Sequence, residues 1–322
     1  MQYQIQKWLP LIEEAMQNLP YPGHPASLYD PIRYFMALPG KRIRPVFVLQ
    51  CLELFREPGP EDARAALATE LFHNFSLVHD DIMDKADMRR GFQTVHKKWD
   101  EPTALLAGDA MLVLAYQVLV SAHTADLKSL MNAFNDMALA VCEGQQLDMD
   151  FSETSHVEVA EYLGMIDRKT GALIAFSFEM AGFLAGLPQA EREKIRGFGQ
   201  AMGRCFQLRD DYLDLFGTEE KTGKKRGGDI ANRKLTFPVL CSLNHSENAE
   251  FLPLWNAAPF ESDDRIRACL DWMETHHIPE MTLNLIQLEM DAGLRLLGEL
   301  PGGAEPKKRL EELCKLLAYR EK

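Results

Sequence analysis

The 322-residue chain lacks an apolar run long enough to be read as a membrane span. Its longest mostly apolar stretch, about Ala110 to Ala122, falls short of the roughly 20 residues that a bilayer requires. Its six cysteines (Cys51, Cys142, Cys205, Cys241, Cys269, Cys314) form no CxxC pair and no zinc spacing, which removes a redox dithiol and a structural zinc from consideration. They read as reduced core thiols of a cytosolic protein. A basic excess is also missing. The 35 Lys and Arg face 48 Asp and Glu, a net charge of -13, which disfavours a nucleic-acid partner and points to cations instead. The opening Met1-Gln2-Tyr3-Gln4-Ile5 has no basic segment followed by an apolar one, so no secretory signal is expected. There is no alternating strand pattern, no fixed-period repeat and no low-complexity tract.

What is present is helical periodicity in a composition of 46% hydrophobic and 26% charged residues, ordinary for a globular chain. From Ala65 to about Asp87, Leu67, Leu71, Phe75 and Val78 recur at helical intervals with Ala66 beside them. Glu158 to Leu184 and Glu191 to Phe216 read similarly. Breaks fall at Pro20–Pro25, Pro58–Pro60, Gly217–Lys234 and about Asn244–Asp264. Length alone would allow two domains, but a large bundle runs this long around one core. The expectation is one all-α domain over residues 1–322, a bundle of long helices with a buried interior.

Two segments share one spacing: Asp80-Asp81-Ile82-Met83-Asp84 and Asp210-Asp211-Tyr212-Leu213-Asp214. On a helix the first and last aspartates of each lie about 40° apart on one face. Like charges at that spacing repel unless a cation intervenes. An oxygen-only cluster suits Mg²⁺, which keeps waters and takes one or two carboxylates plus phosphate oxygens. A single cluster fits a solvated acidic face equally well. Here Leu77, Val78, Ile82 and Met83 surround the first, and Phe206, Leu208, Leu213 and Leu215 the second, which points to carboxylates lining a cavity.

Basic groups accompany the acids. Gly40-Lys41-Arg42-Ile43-Arg44-Pro45 puts cations in a turn opening a helix, where backbone amides and side chains meet an anion together. Arg89-Arg90-Gly91 follows the first cluster, and Lys224-Lys225-Arg226-Gly227-Gly228-Asp229 with Lys234 follows the second. Each alone also reads as a solvated charge run. His73, seven residues before Asp80, returns to within about 20° of its face, where a phosphate contact and a core histidine stay equally open.

These residues resemble the trans-isoprenyl diphosphate synthases, the polyprenyl synthetases. The resemblance is carried by Gly40 to Pro45, Glu70 to His79, Arg89-Arg90-Gly91 with Thr94-Val95-His96, and Gly108-Asp109. It continues through Glu143-Gly144-Gln145, Lys169-Thr170-Gly171, Phe206-Gln207-Leu208-Arg209, and Asp229 with Lys234-Leu235-Thr236. The segments keep family order over about residues 40 to 240, and the last 80 or so residues resemble the family only loosely. The resemblance implies an all-α prenyltransferase fold around a deep central cavity, usually a homodimer, with the two clusters facing each other across it. By carry-over, Asp80, Asp84 and Asp210 would ligate three Mg²⁺ ions on the allylic diphosphate, supported by Asp81, Asp211 and Asp214. Arg89, Lys169, Lys224 and Lys234 would contact that diphosphate. Lys41, Arg44, His73 and Arg90 would bind isopentenyl diphosphate, and Thr170 and Gln207 would steady an allylic cation. Two departures stand out: Pro39 where the family often has glycine, and Arg233 where it commonly has glycine before the lysine. The terminal Tyr319-Arg320-Glu321-Lys322 resembles the basic tail that closes over isopentenyl diphosphate in some members, or is an ordinary charged terminus.

The implied reaction is a head-to-tail condensation of isopentenyl diphosphate with dimethylallyl, geranyl or farnesyl diphosphate. In the family an aromatic five residues before the first cluster limits elongation. Phe75 holds that position, with Ser76 beside it, although Phe75 also fits a core role. Geranylgeranyl diphosphate is the expected product and farnesyl diphosphate the second. Rival readings are a class I terpene cyclase and a non-catalytic partner subunit. The first would replace the second DDxxD with a mixed Asn/Ser/Thr-Glu motif, and the second commonly loses aspartates.

Overall fold

Proline and capping carboxylates set several helix starts. Pro60 opens a helix whose Asp62 side chain accepts the Gly59 N–H at 2.9 Å, and Asp100 accepts the Thr103 N–H at 2.7 Å before a helix beginning at Glu101. In the computed structural model the described residues are 2–154, 157–217 and 226–320. In chain order they form α1 (Gln2–Gln17), α2 (Ala26–Ala37), α3 (Ile43–Leu52), α4 (Pro60–Met83), β1 (Met88–Arg89), β2 (Phe92–Gln93), α5 (Val95–Lys98), α6 (Glu101–Val120), α7 (Leu127–Glu153) and α8 (Val159–Ile166). A π-helical turn (Asp167–Gly171) follows, then α9 (Ala172–Leu184), α10 (Gln189–Phe216), α11 (Gly228–Ala231), α12 (Phe237–Leu243), α13 (Asn248–Asn256), α14 (Asp263–Thr275), α15 (Ile278–Glu299) and α16 (Ala304–Ala318).

The chain groups into two units, each drawn from three stretches. The first is Met1–Ala133, Ser177–Arg192 and Pro301–Leu310; the second is Phe134–Phe176, Glu193–Leu300 and Glu311–Lys322. In the first, α4 packs on α6, α3 and α1. Both helices bury small residues, Ala63, Ala65, Ala66 and Ala68 on α4 and Ala104, Ala107 and Ala115 on α6, and Gly108 of α6 lies against His79 of α4. Leu67, Leu71 and Val78 are buried as their spacing predicts, while Phe75 is half-buried. Phe47 and Phe178 stack at 4.6 Å in the same core. In the second unit α12 packs on α15 and α8, and α13 on α14.

The structure departs from the sequence reading in three places. Cys142 is exposed, while the other five cysteines are buried and all six are free. The stretch read as a break at about Asn244–Asp264 holds α13, a helix that tolerates Pro253 inside it. The helix α6 starts at Glu101, ahead of the apolar run, and by length and hydropathy is the one helix among the described residues that could cross a membrane. Its 39% burial comes within a unit where it packs on α4 and α2.

Candidate active site

The last turn of α4 carries the first cluster. Asp80 is half-buried, Asp81 is 1% exposed and Asp84 is exposed. The chain then reverses through the β1–β2 hairpin, where Arg90 (φ 54°) and Gly91 (φ 83°) both take left-handed backbone, the geometry of a two-residue hairpin turn. That reversal returns Arg89, whose Nε donates to Asp81 Oδ1 at 2.7 Å. Burial raises the Asp81 pKa and the Arg89 charge opposes it. Asp81 Oδ2 is buried without a hydrogen-bond partner.

The Gly40–Pro45 turn separates two roles among its cations. Arg42, left-handed at φ 48° where α3 begins, buries its guanidinium on Glu70 at 2.9 Å and donates to the Met36 and Leu38 carbonyls at 2.8 Å. Lys41 stays exposed and Arg44 half-buried. A Cβ at Gly40 would sit 2.7 Å from Arg90 Nη1, so this glycine leaves room for Arg90. His73 is held well below its ordinary pKa, by burial first and then by Arg44, Arg90, Arg89 and Arg42. The unit therefore brings together a neutral imidazole and several guanidinium groups, the makings of an anion site. Phe75 meets Phe72 and His79 edge-on, at 5.4 and 4.9 Å, and Ser76 turns its hydroxyl onto the His73 carbonyl at 2.9 Å.

In the second unit Lys169 and Thr170 lie on the π-helical turn, an irregularity common at functional sites. Glycines let that turn lie against its neighbours. A Cβ at Gly144 of α7 would come 2.6 Å from the Lys169 Cα, and one at Gly203 of α10 2.6 Å from the Gly171 Cα. Lys169 is ion-paired with Asp148. The Thr170 hydroxyl donates to Gln207 Oε1 at 2.8 Å, Gln207 Nε2 donates to Asp211 Oδ1 at 3.0 Å, and Tyr162 donates to Asp211 Oδ2. Burial pushes the Asp211 pKa up to about 7, against the pull of the Tyr162 and Gln207 hydrogen bonds.

Asp210, exposed beside it, is ion-paired with Arg320. The Arg320 guanidinium lies 4.1 Å from the Phe206 ring, and its carbonyl accepts from Arg209 at 2.8 and 2.6 Å. Asp214 accepts the Asp229 N–H at 2.7 Å, bringing two carboxylates together. Burial, then Asp214 and Asp211, raises the Asp229 pKa, and the Lys234 charge only partly offsets this. Arg233, where the family commonly has glycine, is left-handed at φ 54°, which explains the glycine preference. Its guanidinium compensates by donating to the Trp255 carbonyl at 2.9 Å and lying 4.6 Å from the Phe260 ring. Lys224 and Lys322 lie outside the described residues.

Among the described residues no three acidic, His or Cys side chains converge tightly enough to cage a metal. The donor set nevertheless fits Mg²⁺. In each unit the donors are hard oxygens: the first holds an orphaned buried oxygen on Asp81, and in the second burial and neighbouring carboxylates raise Asp211 and Asp229. Mg²⁺ takes one or two carboxylates and fills its shell with water and phosphate oxygens.

An all-helical fold carrying paired DDxxD segments with guanidinium and lysine groups defines a class of diphosphate-handling enzymes. The polyprenyl synthetase family model matches residues 25–273, and the chain belongs to that family of trans-prenyltransferases. It is 32% identical over 278 residues to a geranylgeranyl diphosphate synthase of Methanosarcina mazei, covering 86% of each chain. It is 31% identical over 329 residues to a geranylfarnesyl diphosphate synthase of Natronomonas pharaonis, covering 96% of this chain and 95% of the other. A crystal structure of a geranylgeranyl pyrophosphate synthase superposes with a TM-score of 0.92 at 38% identity over 99% of both chains.

Sequence reasoning missed Tyr162 and Asp148 as partners of the site, and treated Glu70 and Asp229 only as parts of matching stretches. Asp148 was the most accessible of these, one helical turn after Gly144 on the face that meets Lys169. Tyr162 pairs with a residue 49 positions away and left no local signal.

Proposed function

We propose that this enzyme condenses isopentenyl diphosphate head-to-tail with an allylic diphosphate, acts in the cytoplasm, and makes geranylgeranyl diphosphate as its main product. The observation that carries the reading is the gathering of His73, Arg44, Arg89 and Arg90 beside one DDxxD, with Lys169, Thr170 and Gln207 beside the other. The carbon–oxygen bond of the allylic diphosphate breaks, the isopentenyl double bond attacks the freed carbon, and a proton is lost to released diphosphate. Arg89, Lys169, Lys224 and Lys234 hold the leaving diphosphate. Lys41, Arg44, Arg90 and neutral His73 hold the isopentenyl diphosphate. The Thr170 and Gln207 dipoles face the electron-poor carbon. Asp80, Asp84 and Asp210, backed by Asp81, Asp211 and Asp214, would hold magnesium, three ions per site with substrate bound; these supply charge neutralisation for the departing diphosphate. The reaction also requires water to be kept out, since it would quench the cation.

Product length is set by the side chain below Asp80, for which Phe75 and Ser76 are the candidates. The aromatic contacts of Phe75 favour a fixed wall, and the Methanosarcina relative favours the twenty-carbon product over farnesyl diphosphate. The outward stripe of Leu106, Val113 and Val120 along α6, 60%, 56% and 53% exposed, supports a homodimer. The test is to supply Mg²⁺, isopentenyl diphosphate and each short allylic diphosphate in turn and to measure product chain length. Twenty-carbon product is expected. Hydrocarbon from allylic diphosphate alone would indicate a cyclase, and no turnover with any pair would overturn the assignment.

A further inference from the structure

A hydrogen-bond chain runs from the buried core of the second unit to the π-helical turn, and it has a direction. It starts at Tyr162, 2% exposed, whose hydroxyl donates to Asp211 Oδ2. Asp211, 4% exposed, takes the Gln207 Nε2–H on its other oxygen at 3.0 Å. Gln207 then receives the Thr170 hydroxyl on Oε1 at 2.8 Å. Tyr162 and Asp211 are buried, while Gln207 and Thr170 are half-buried. The chain therefore leads from the inside outward.

Direction follows from what each group can do. Asp211 meets Tyr162 and Gln207 as an acceptor on both oxygens, so the Gln207 amide turns its NH₂ toward Asp211 and its carbonyl toward Thr170. The Thr170 hydrogen is then spent on that carbonyl. Beyond the chain Thr170 offers only lone pairs, and Gln207 offers the free lone pair of its carbonyl oxygen on the side that faces Thr170, its second N–H lying on the Asp211 side. An amide has nearly the same shape in either orientation, so nothing steric fixes this polarity; the partners fix it. Reversed, the pair would present N–H or O–H hydrogens, the wrong sign for a carbon losing its leaving group.

We propose that Tyr162 is a positioning residue for the ionisation step: by holding Asp211 in place as an acceptor it fixes the amide orientation of Gln207, so that Thr170 and Gln207 turn oxygen lone pairs toward the allylic cation. The inference deepens the prenyltransferase reading and rests on it. Tyr162 touches no substrate; it acts through two intervening side chains.

The test is Tyr162→Phe, which keeps the ring and removes only the hydroxyl. Loss of one oriented hydrogen bond should slow the single-turnover chemical step by about tenfold, while KM for the allylic diphosphate stays within about twofold. Placed in a Gln207→Leu background, the same change should cost nothing further, because the amide it orients is gone. A second readout needs neither substrate nor metal. In ¹⁵N-glutamine-labelled protein, the side-chain amide signal that vanishes in Gln207→Leu should move in Tyr162→Phe. If Tyr162→Phe fails to fold, Asp211→Asn takes its place, read by the amide signal in metal-free protein because Asp211 also backs the magnesium site. Its amide can donate to Gln207 Oε1 and reverse the chain, so the Gln207 signal should move, and an unmoved signal would overturn the proposal. An equal slowing with and without Gln207, together with an unmoved amide signal, would reduce Tyr162 to a packing residue and overturn the proposal. So would wild-type rates with an unmoved signal. A protein with no prenyl transfer under any condition would instead defeat the prenyltransferase reading, and the amide signal would still report whether the chain exists.

Discussion

Replacing Gly144 by Ala should damage both stability and turnover, although it adds one methyl to a helix. In an unstrained helix interior this exchange stabilises by up to about 1 kcal/mol, because alanine loses less backbone freedom on folding. At Gly144 the new Cβ would lie 2.6 Å from the Lys169 Cα and 2.8 Å from the Arg168 carbonyl carbon. Both are backbone atoms of the π-helical turn, so no rotamer change relieves the overlap. Either α7 or the turn must move. Overpacking of that kind costs about 1–3 kcal/mol, more than the propensity gain. The turn also carries Lys169 and Thr170, so displacing it by a few tenths of an ångström disturbs the Lys169–Asp148 pair and the 2.8 Å Thr170–Gln207 bond. Gly164→Ala is the internal control. There the added Cβ would meet only the Arg168 guanidinium, at 3.5 Å, an ordinary contact with a flexible side chain. Denaturant unfolding of the metal-free protein and kcat at saturating substrates should rank Gly164→Ala at or above wild type, and Gly144→Ala at least about 1 kcal/mol below with a lower kcat. If Gly144→Ala unfolds with Gly164→Ala and keeps wild-type kcat, the close approach does not hold the turn in place.

Further outcomes can be measured. Arg320→Ala removes the cation paired with Asp210, so the Mg²⁺ concentration for half-maximal rate should fall severalfold; a raised KM for isopentenyl diphosphate with unchanged Mg²⁺ dependence would place Arg320 on the other substrate instead. Asp229 is held protonated by burial and by Asp214, so the fold binds a proton that the unfolded chain releases. Its contribution to the stability of the metal-free protein is then fully present in acid and is lost as pH rises from the usual carboxylate range through neutrality. Asp229→Asn should flatten that decline in thermal melts between about pH 5 and about pH 8, and an undiminished slope would assign the effect elsewhere. Phe75→Ala should lengthen the product, because a half-buried ring in edge contact with Phe72 and His79 gives way to open space; an unchanged product distribution would remove Phe75 as the floor.

The sequence reveals those parts of the site that repeat a local pattern. The two aspartate clusters, the arginine hairpin after the first and the long helices that carry them all follow from spacing within a few residues. The π-helical turn did not, because its cause lies in Gly144 and Gly203, on two other helices, and their contacts with Lys169 and Gly171. The division between Arg42 and its neighbours was also hidden. Three cations in one short run look alike until folding buries Arg42 on Glu70 and leaves Lys41 exposed. Arg233 is intermediate: its departure from glycine is visible in the chain, but its tolerance depends on Trp255 and Phe260, more than 20 positions away.

Two clusters of identical spacing thus become different chemical objects through their neighbours. In the first, Asp81 is answered by a guanidinium on one oxygen and keeps the other buried and unbonded. The answering charge limits the penalty of burial, and the spare oxygen retains its capacity as a ligand. In the second, Asp211 has both oxygens engaged by neutral donors, and Asp214 stands against Asp229 with Lys234 as a partial counterweight. Neutral donors steady a carboxylate without cancelling its charge, so Asp211 titrates near 7 instead of near 4. Burial lifts Asp81 as well, but an adjacent guanidinium partly answers it; at Asp211 the answering groups are neutral, so protons or an added cation settle the second cluster. Metal uptake should therefore be coupled to proton release through the second cluster, where Asp211 and Asp229 are both pushed up, and should compete with Arg320 for Asp210.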